Sequence, residues 1–203
     1  MTTRSFPNVR PSEASWQLVS NQRQMVSPHT KAIQTEQRGG QHWLCTLAFR
    51  GLVRAELRAL QAFIGVVISG ADNFTMPAFG HFAAGTGAGN PRVRGESQTG
   101  TELATDGWTT SAAGVLLAGA MISVGGELKQ VGFDVDADAG GLATVTISPE
   151  IHQSPDDNSL IVTSAPTGIF RLVMDAAGWD LGALALDSAE GSITLVCMED
   201  VLA

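Results

Sequence analysis

The residues that could carry chemistry in this chain start with an acidic turn. Asp134, Asp136 and Asp138 alternate with apolar residues, as the first ligands of a calcium-binding EF-hand loop do. The similarity ends there, because the sixth position is Ala139 instead of glycine and the twelfth is Val145 instead of glutamate. The spacing therefore favours a solvated hairpin turn over a cation site.

The histidines and cysteines form no pattern typical of a metal site or an activated nucleophile. No histidine stands at metal-ligand spacing from a cysteine or from another histidine. His42 precedes Cys45 by three residues, which on an alternating strand places the two side chains on opposite faces. Cys45 and Cys197 both lie in apolar alternating stretches, and this predicts two buried thiols.

A glycine-rich stretch at residues 85–90 invites comparison with a phosphate-binding loop. Such a loop needs a lysine followed by serine or threonine at the start of a helix, and here Pro91 and Arg92 follow. No Gly-x-Ser-x-Gly nucleophile elbow occurs, and no carboxylate pair lies in an apolar context. We therefore expect no catalytic residue, no cofactor and no metal, and predict a non-enzymatic protein.

Arginines form an ordered basic feature. Arg50, Arg54 and Arg58 follow one another at four-residue spacing, which on a helix places them along one face. Glu56 lies on another side of that helix and does not neutralise the arginines by pairing one turn away. The stripe is either a solvated helix face or a docking face for an acidic partner.

Hydrophobic periodicity predicts the elements that hold these side chains. Residues 42–49 alternate in polarity, which predicts a half-buried strand. The period then changes to that of a helix over residues 52–67, with Gly70 as a stop signal. The residues expected to face the core are Trp43, Cys45, Leu47 and Phe49 from the strand, and Leu52, Ala59, Leu60, Phe63, Ile64 and Val67 from the helix.

The N-terminal part predicts an arm, a strand and a long hairpin. Residues 1–13 are typical of an extended arm, residues 14–19 of a strand and residues 20–24 of a polar turn. Residues 25–37 are interrupted at Pro28 and predict a hairpin with long, polar, irregular arms. The candidates for contact with another subunit are Met25, His29 and Ile33 in this hairpin, and Arg50, Arg54 and Arg58 in the stripe.

The second half of the chain predicts short antiparallel strands and no further helix. Residues 80–114 are rich in small residues and predict a loop-rich linker with short strands. Residues 115–165 predict a small antiparallel unit in which Gly125, Gly126 and Glu127 form a tight turn. Other strands are expected at 74–77, 121–124, 128–133, 142–147, 159–163, 169–174 and 192–198, with a turn at 176–178 and a β stretch from Trp179. The fold class is therefore mainly β with one packed α-helix.

The charge distribution divides the chain. Residues 1–95 hold ten basic and four acidic residues, a balance of +6, whereas residues 96–203 hold two and sixteen, a balance of −14. This polarity predicts a basic face and an acidic face, and the net charge of −8 argues against nucleic-acid binding. No apolar run reaches the length of a membrane span, and the N-terminus lacks the apolar core of a secretory signal. We expect a protein that is made in a cytoplasm and does not insert into membranes.

Short motifs follow one another in a distinctive order along residues 14–200: WQL at 16–18, HWL at 42–44, LQAF at 60–63, DNFTMP at 72–77, RGESQTG at 94–100, LAGAMISVGG at 117–126, DADAG at 136–140, ATV at 143–145 and GIFRL at 168–172. In this order they resemble the distal tail proteins of long-tailed bacteriophages. The chain departs from the pattern at Gly119 and Ala120, where Gly-Asp would be expected.

The resemblance implies a split β-barrel with one packed helix, formed by residues 1–79 and 167–203, and a small antiparallel β unit inserted at residues 80–166. It implies that six copies form a ring at the distal end of the tail, in the virion, after assembly in the host cytoplasm. The implied partners are the tail tube protein, the tail-tip or baseplate hub and the tape-measure protein. The long hairpin would reach onto a neighbouring subunit.

Two alternatives stay open. A tail tube or tail-completion protein would share the barrel, although the inserted unit argues against a plain tube subunit. A host-carbohydrate-binding module would use Trp108 and Trp179 as stacking faces, whereas burial in a core is the simpler interpretation of both tryptophans. Many distal tail proteins carry a larger carbohydrate-binding domain than this chain supplies.

Overall fold

A computed structural model describes residues 2–81, 85–173 and 192–201 of the chain. The predicted turn at 176–178 and the β stretch from Trp179 lie outside these residues. Within them the protein is mainly β with one helix. The elements are α1 (Arg54–Gly70) and the strands β1 (Thr3–Ser5), β2 (Glu13–Val19), β3 (Gln22–Val26), β4 (Ile33–Gln37), β5 (His42–Phe49), β6 (Asn73–Pro77), β7 (Gly89–Val93), β8 (Gly100–Trp108), β9 (Met121–Val124), β10 (Glu127–Val131), β11 (Ala143–Ile151), β12 (Thr167–Leu172) and β13 (Ile193–Glu199).

Six strands form a sheet that is curled into a half-barrel, here called the half-barrel sheet. The strand order is β1-β6-β12-β13-β5-β2, with β1 parallel to β6 and the other neighbouring pairs antiparallel. Because β12 and β13 stand between β6 and β5, strands from late in the chain complete a sheet that early strands begin. β1 and β2 are the two outer strands of this sheet.

The predicted alternation of residues 42–49 is confirmed. β5 pairs with β2 and β13 and turns Trp43, Cys45, Leu47 and Phe49 into the core. The buried residues of α1 join the same core: Leu60, Phe63, Ile64 and Val67.

The helix differs from its prediction in two details. It begins at Arg54 instead of residue 52, and it continues to Gly70, after which Ala71 adopts a left-handed φ of 47°. Ala59 was expected in the buried stripe and is exposed. One residue turns a helix by about 100°, so Ala59 falls outside the narrow arc around Leu60 and Phe63 that meets the core. No helix in the described ranges is long and apolar enough to cross a membrane.

The N-terminal segment is part of the sheet, which corrects the prediction of an extended arm. β1 pairs with β6, and the Phe6 ring packs against Phe63 and Phe74 at centroid distances of 5.2 and 5.9 Å. The Arg4 guanidinium lies 2.7 Å from the Asp72 carboxylate. A hydrogen bond from the Thr2 N–H and the contact with Arg4 hold the pKa of Asp72 below its usual value. Phe6 brings an aromatic ring to the core, and this ring fixes a segment that has no periodicity of its own.

The second sheet has the order β7-β8-β11-β10-β9 and a separate hydrophobic core. The prediction of a loop-rich linker with short strands over residues 80–114 agrees with the five-residue β7 and is wrong for the nine-residue β8. The glycines there permit close contact between backbones. At Gly107, where φ is 76°, a Cβ atom would lie 2.3 Å from the Asn90 carbonyl oxygen.

The tight turn predicted at Gly125 and Gly126 is confirmed, since both have positive φ (58° and 86°), as a type I′ turn requires.

The segment at residues 159–163 was predicted as a strand and instead forms isolated bridges that close the second sheet. On one side, Val93 N–H donates to the Ser159 carbonyl (2.9 Å) of this segment. On the other, Ser123 and Val162 exchange hydrogen bonds of 3.0 and 2.9 Å. The segment therefore covers the outer strands β7 and β9, and the second sheet offers little unpaired edge.

We predict that Gly107→Ala lowers the free energy of unfolding by about 3 kcal/mol, because the new methyl group combines a positive φ with a backbone clash. Gly119→Ala is the matched control: φ is 84°, and nothing lies within 4 Å of the added Cβ. That variant is expected to lose about 1 kcal/mol. Urea denaturation of both variants measures the difference, and equal losses would contradict the close approach at Gly107.

Candidate subunit interface

β3 and β4 form a two-stranded sheet of their own, the hairpin. It continues β2 and β5, whose pairing ends at Val19 and His42. The Asn21 side-chain amide donates to the Gly39 carbonyl (2.8 Å) at the junction. Five residues per strand extend the hairpin by about 17 Å. The predicted hairpin is confirmed, whereas the polar turn expected at 20–24 is wrong, because a strand starts at Gln22 and the break is shorter.

Apolar side chains are exposed on both faces of the hairpin. The exposed fractions are 45% for Met25, 57% for Val26 and 66% for Ile33. Val26 and Ile33 are direct cross-strand partners, whereas Met25 stands opposite Gln34 and faces the other way. An isolated two-stranded hairpin is only marginally stable in water. The interface candidates Met25 and Ile33 are thus exposed, as is His29 at the hairpin tip, and their role in a subunit contact stays a prediction.

The three arginines do not share one helix face, which corrects the predicted stripe. Arg50 follows β5, its N–H donates to the Ser12 hydroxyl (2.9 Å), and its guanidinium lies 4.0 Å from Glu13. Arg54 is the first residue of α1, and Arg58 follows one turn later. All three are exposed. The strand ends at Phe49 as predicted and the helix begins only at Arg54, so Arg50 belongs to the connection. A role for the arginines in contacting an acidic partner stays a prediction.

A cluster of four polar side chains, here called the polar seam, joins the two sheets: Glu127, Lys129, His152 and Glu199. The Glu199 carboxylate is buried and accepts from Trp43 N–H (3.1 Å) on one side and from Leu128 N–H (2.9 Å) on the other. The Trp43 indole N–H donates to the Leu128 carbonyl (3.0 Å). Both backbone groups of Leu128, in the second sheet, are thus bound by side chains of the half-barrel sheet.

Lys129 and His152 complete the polar seam. The Lys129 ammonium is fully buried, 2.5 Å from the Glu127 carboxylate and 2.6 Å from the Glu150 carbonyl. His152 Nε2 lies 2.6 Å from the Gln41 carbonyl. A carbonyl only accepts, so Nε2 carries the proton.

Burial shifts the pKa values of two seam residues in opposite senses. Desolvation raises the pKa of Glu199, against the two backbone hydrogen bonds and the Lys129 charge. Desolvation and the charge of Lys129 lower the pKa of His152. A proton on Glu199 therefore favours the folded state as pH falls, whereas a proton on His152 favours the unfolded state.

The polar seam was not predicted from the sequence. One signal for it was present: Lys129 is one of two basic residues after position 95, and it lies between Leu128 and Val131 in an apolar strand. A lone lysine in such a strand needs a buried partner. The partner Glu127 stands two residues before Lys129 on the same strand, whereas the Glu150 carbonyl reaches the ammonium only through the pairing of β10 with β11.

The acidic turn holds loops in place. Asp134 and Asp136 accept from the N–H groups of Ala118 (2.8 Å) and Gly114 (2.6 Å), and Asp138 accepts from Gly140 (2.7 Å). The predicted solvated hairpin turn is confirmed: the segment connects the antiparallel strands β10 and β11, and the three aspartates are exposed while they accept these hydrogen bonds. In the described ranges no three His, Cys, Asp or Glu side chains converge to hold a metal ion.

Cys45 and Cys197 are buried free thiols, as predicted, and face each other across β5 and β13. Desolvation raises the pKa of Cys45 to about 12 and also raises that of Cys197, so both thiols are unreactive at neutral pH.

Trp108 is buried, and its indole N–H donates to the Thr105 hydroxyl (2.7 Å). It offers no stacking face to a sugar, and Trp179 lies outside the described residues.

We expect Glu199→Gln to lower the free energy of unfolding at pH 7 by about 2 kcal/mol, because an amide NH₂ would face a backbone N–H that now has an acceptor. Chemical denaturation measures the loss. Glu96→Gln removes an exposed carboxylate and is the control, with an expected change below about 0.5 kcal/mol. A Glu199 variant as stable as this control would show that the carboxylate does not hold the sheets together.

Acidification is expected to weaken the fold through His152. Its pKa lies below the ordinary 6.5 in the folded state, so the unfolded chain takes up the proton first and stability falls as pH drops below 6.5. His152→Gln keeps an N–H donor for Gln41 and removes the titration. Between pH 7 and pH 5 this variant should lose less stability than the parent protein in urea titrations. Parallel losses would contradict the assignment, since the other titrating groups are common to both proteins.

A scan of protein-family models finds no match to this chain, and a search of curated proteins finds none either.

Proposed function

We propose that the chain is a non-enzymatic structural protein of the phage virion that forms a ring of about six copies at the distal end of a long tail. In this proposal the ring links the tail tube to the tail-tip or baseplate hub. The observation that carries the proposal is the hairpin, which exposes Met25, Val26 and Ile33 on its two faces. A surface of this kind is costly for a monomer and useful in an assembly.

The edges of the half-barrel sheet support closure into a ring. β1 and β2 are outer strands at opposite ends of the sheet order. Two different outer strands on one subunit favour head-to-tail contacts, which close into rings when the rotation allows. The second sheet is covered at β7 and β9 by residues 159–162, so it does not compete for the same contacts. We propose that the half-barrel sheet is part of a split β-barrel of residues 1–79 and 167–203.

Charge supports the same arrangement. Residues 2–81 hold eight basic and four acidic residues, whereas residues 85–166, which contain the second sheet, hold three and ten. Residues 167–203 hold one and six, so the proposed split barrel has nine basic and ten acidic residues and is nearly neutral, whereas the proposed inserted unit, residues 80–166, carries most of the net negative charge. Attraction between this acidic unit and the basic N-terminal part of a stacked subunit would guide register and association, and this contribution is screened by salt.

The tail-tip assignment is preferred over a tail tube or completion protein because the second sheet adds bulk that a repeating shaft subunit does not need. The carbohydrate-binding alternative loses support from the burial of Trp108. Immunogold labelling of intact virions separates the first two locations: decoration confined to the tip agrees with the proposal, and decoration along the shaft contradicts it.

Ring formation is tested on the purified protein by native mass spectrometry and negative-stain electron microscopy. We expect rings of about six copies, and monomers at tens of micromolar would contradict the proposal. In a matched variant, residues 22–37 are replaced by Asn-Gly, a two-residue hairpin turn. Since β3 and β4 pair only with each other, this variant is expected to keep the far-UV spectrum and thermal transition of a folded protein and to run as a monomer. Rings formed without the hairpin would contradict its role.

A further inference from the structure

A groove of about 480 Å³ runs between β1 and α1. The Thr3 and Ser5 residues of β1 form one wall, and Ala62, Phe63 and Val66 of α1 form the other. Val66 is 41% exposed although it is apolar. The groove thus combines a strand on one side with an apolar helix face on the other.

The strand wall carries unpaired backbone groups. Phe6 N–H donates to the Thr75 carbonyl (3.0 Å) of β6, and backbone groups alternate in direction along a strand. Thr3 and Ser5, which are exposed and line the groove, therefore direct their N–H and C=O groups away from β6. A strand edge flanked by a helix is a site at which an extended segment can add to a sheet.

The hairpin has the properties of the missing segment. Its two strands pair with each other alone, so each keeps an outer edge for a further strand. Its apolar residues Val26 and Ile33 share one face. The hairpin also continues β2, which lies at the opposite end of the half-barrel sheet from β1. A second copy can therefore place its hairpin at this groove in a head-to-tail contact.

We propose that the groove between β1 and α1 receives the β3–β4 hairpin of a second copy of this chain as an added strand. Main-chain hydrogen bonds to Thr3 and Ser5 provide the pairing, and Val26 and Ile33 pack on Ala62 and Val66. The cation that lines the groove, Arg4, is already paired with Asp72, which limits its repulsion of the basic hairpin. The inference rests on the proposed ring and names the surface that closes it.

The first test fills the groove. Ala62→Arg places a long charged side chain in it, whereas Ala55→Arg makes the same change on an exposed position of α1 outside the groove lining. We expect Ala62→Arg to run as a folded monomer with the parent thermal transition, and Ala55→Arg to form rings. Rings formed equally by both variants would overturn the groove contact while leaving the ring itself intact.

The second test does not depend on a loss of assembly. Val66→Cys and Ile33→Cys are made in separate chains, mixed and treated with a short bismaleimide. Cys45 and Cys197 are buried and give little background. A cross-linked dimer that requires both variants supports the proposal, and its absence from mixed rings overturns it. If the parent protein is monomeric, the same cross-link would support the contact and refute the closed ring, and its absence would refute both.

Discussion

The two sheets are held together by the way in which Leu128 is bound. Its N–H and carbonyl are satisfied by Glu199 and by the Trp43 indole, and its side chain enters the core of the half-barrel sheet. The backbone groups of a buried residue must find such partners, because a buried unsatisfied amide costs about 1–3 kcal/mol. Together with the hydrogen bonds from Thr167 N–H to the Ser123 hydroxyl (3.3 Å) and from Ile169 N–H to the Gly126 carbonyl (3.1 Å), the bonds to Leu128 orient the second sheet on the half-barrel sheet. Because the two sheets are held together in this way, a subunit contact made by one sheet would also position the other sheet.

The parts of the fold that the sequence predicted are those with a local cause. Alternation in β5 and a helical stripe in α1 are consequences of one-sided burial, and the Gly125–Gly126 turn follows from the φ values that only glycine adopts easily. β8 was not predicted, because its glycines are typical of loops. The close contact between backbones that explains them is not visible in the sequence. Of the proposed interface, the sequence indicated Met25 and Ile33. The groove at Val66 depends on the parallel pairing of β1 with β6 across some 70 residues, which no local pattern reveals.

The two sheets differ both in their charge and in how far their outer strands are covered. The second sheet is acidic and covered at both outer strands, whereas the half-barrel sheet is richer in cations and leaves β1 and β2 uncovered. A protein with open edges risks uncontrolled pairing, and a short β1 beside a helix limits what can be added to it. In the proposed ring, the choice of partner therefore depends on the limited space at β1 as well as on attractive contacts.

The central position of β12 and β13 has a consequence for biosynthesis. Every described strand of the second sheet is translated before them, so that sheet can close on the ribosome while the half-barrel sheet lacks its middle. β6 and β5 come together only through strands from the last fifth of the chain, and the groove at β1 takes its final shape at that point. In the proposed ring, premature association of nascent chains is disfavoured, because the sheet that carries the proposed docking groove is incomplete until then.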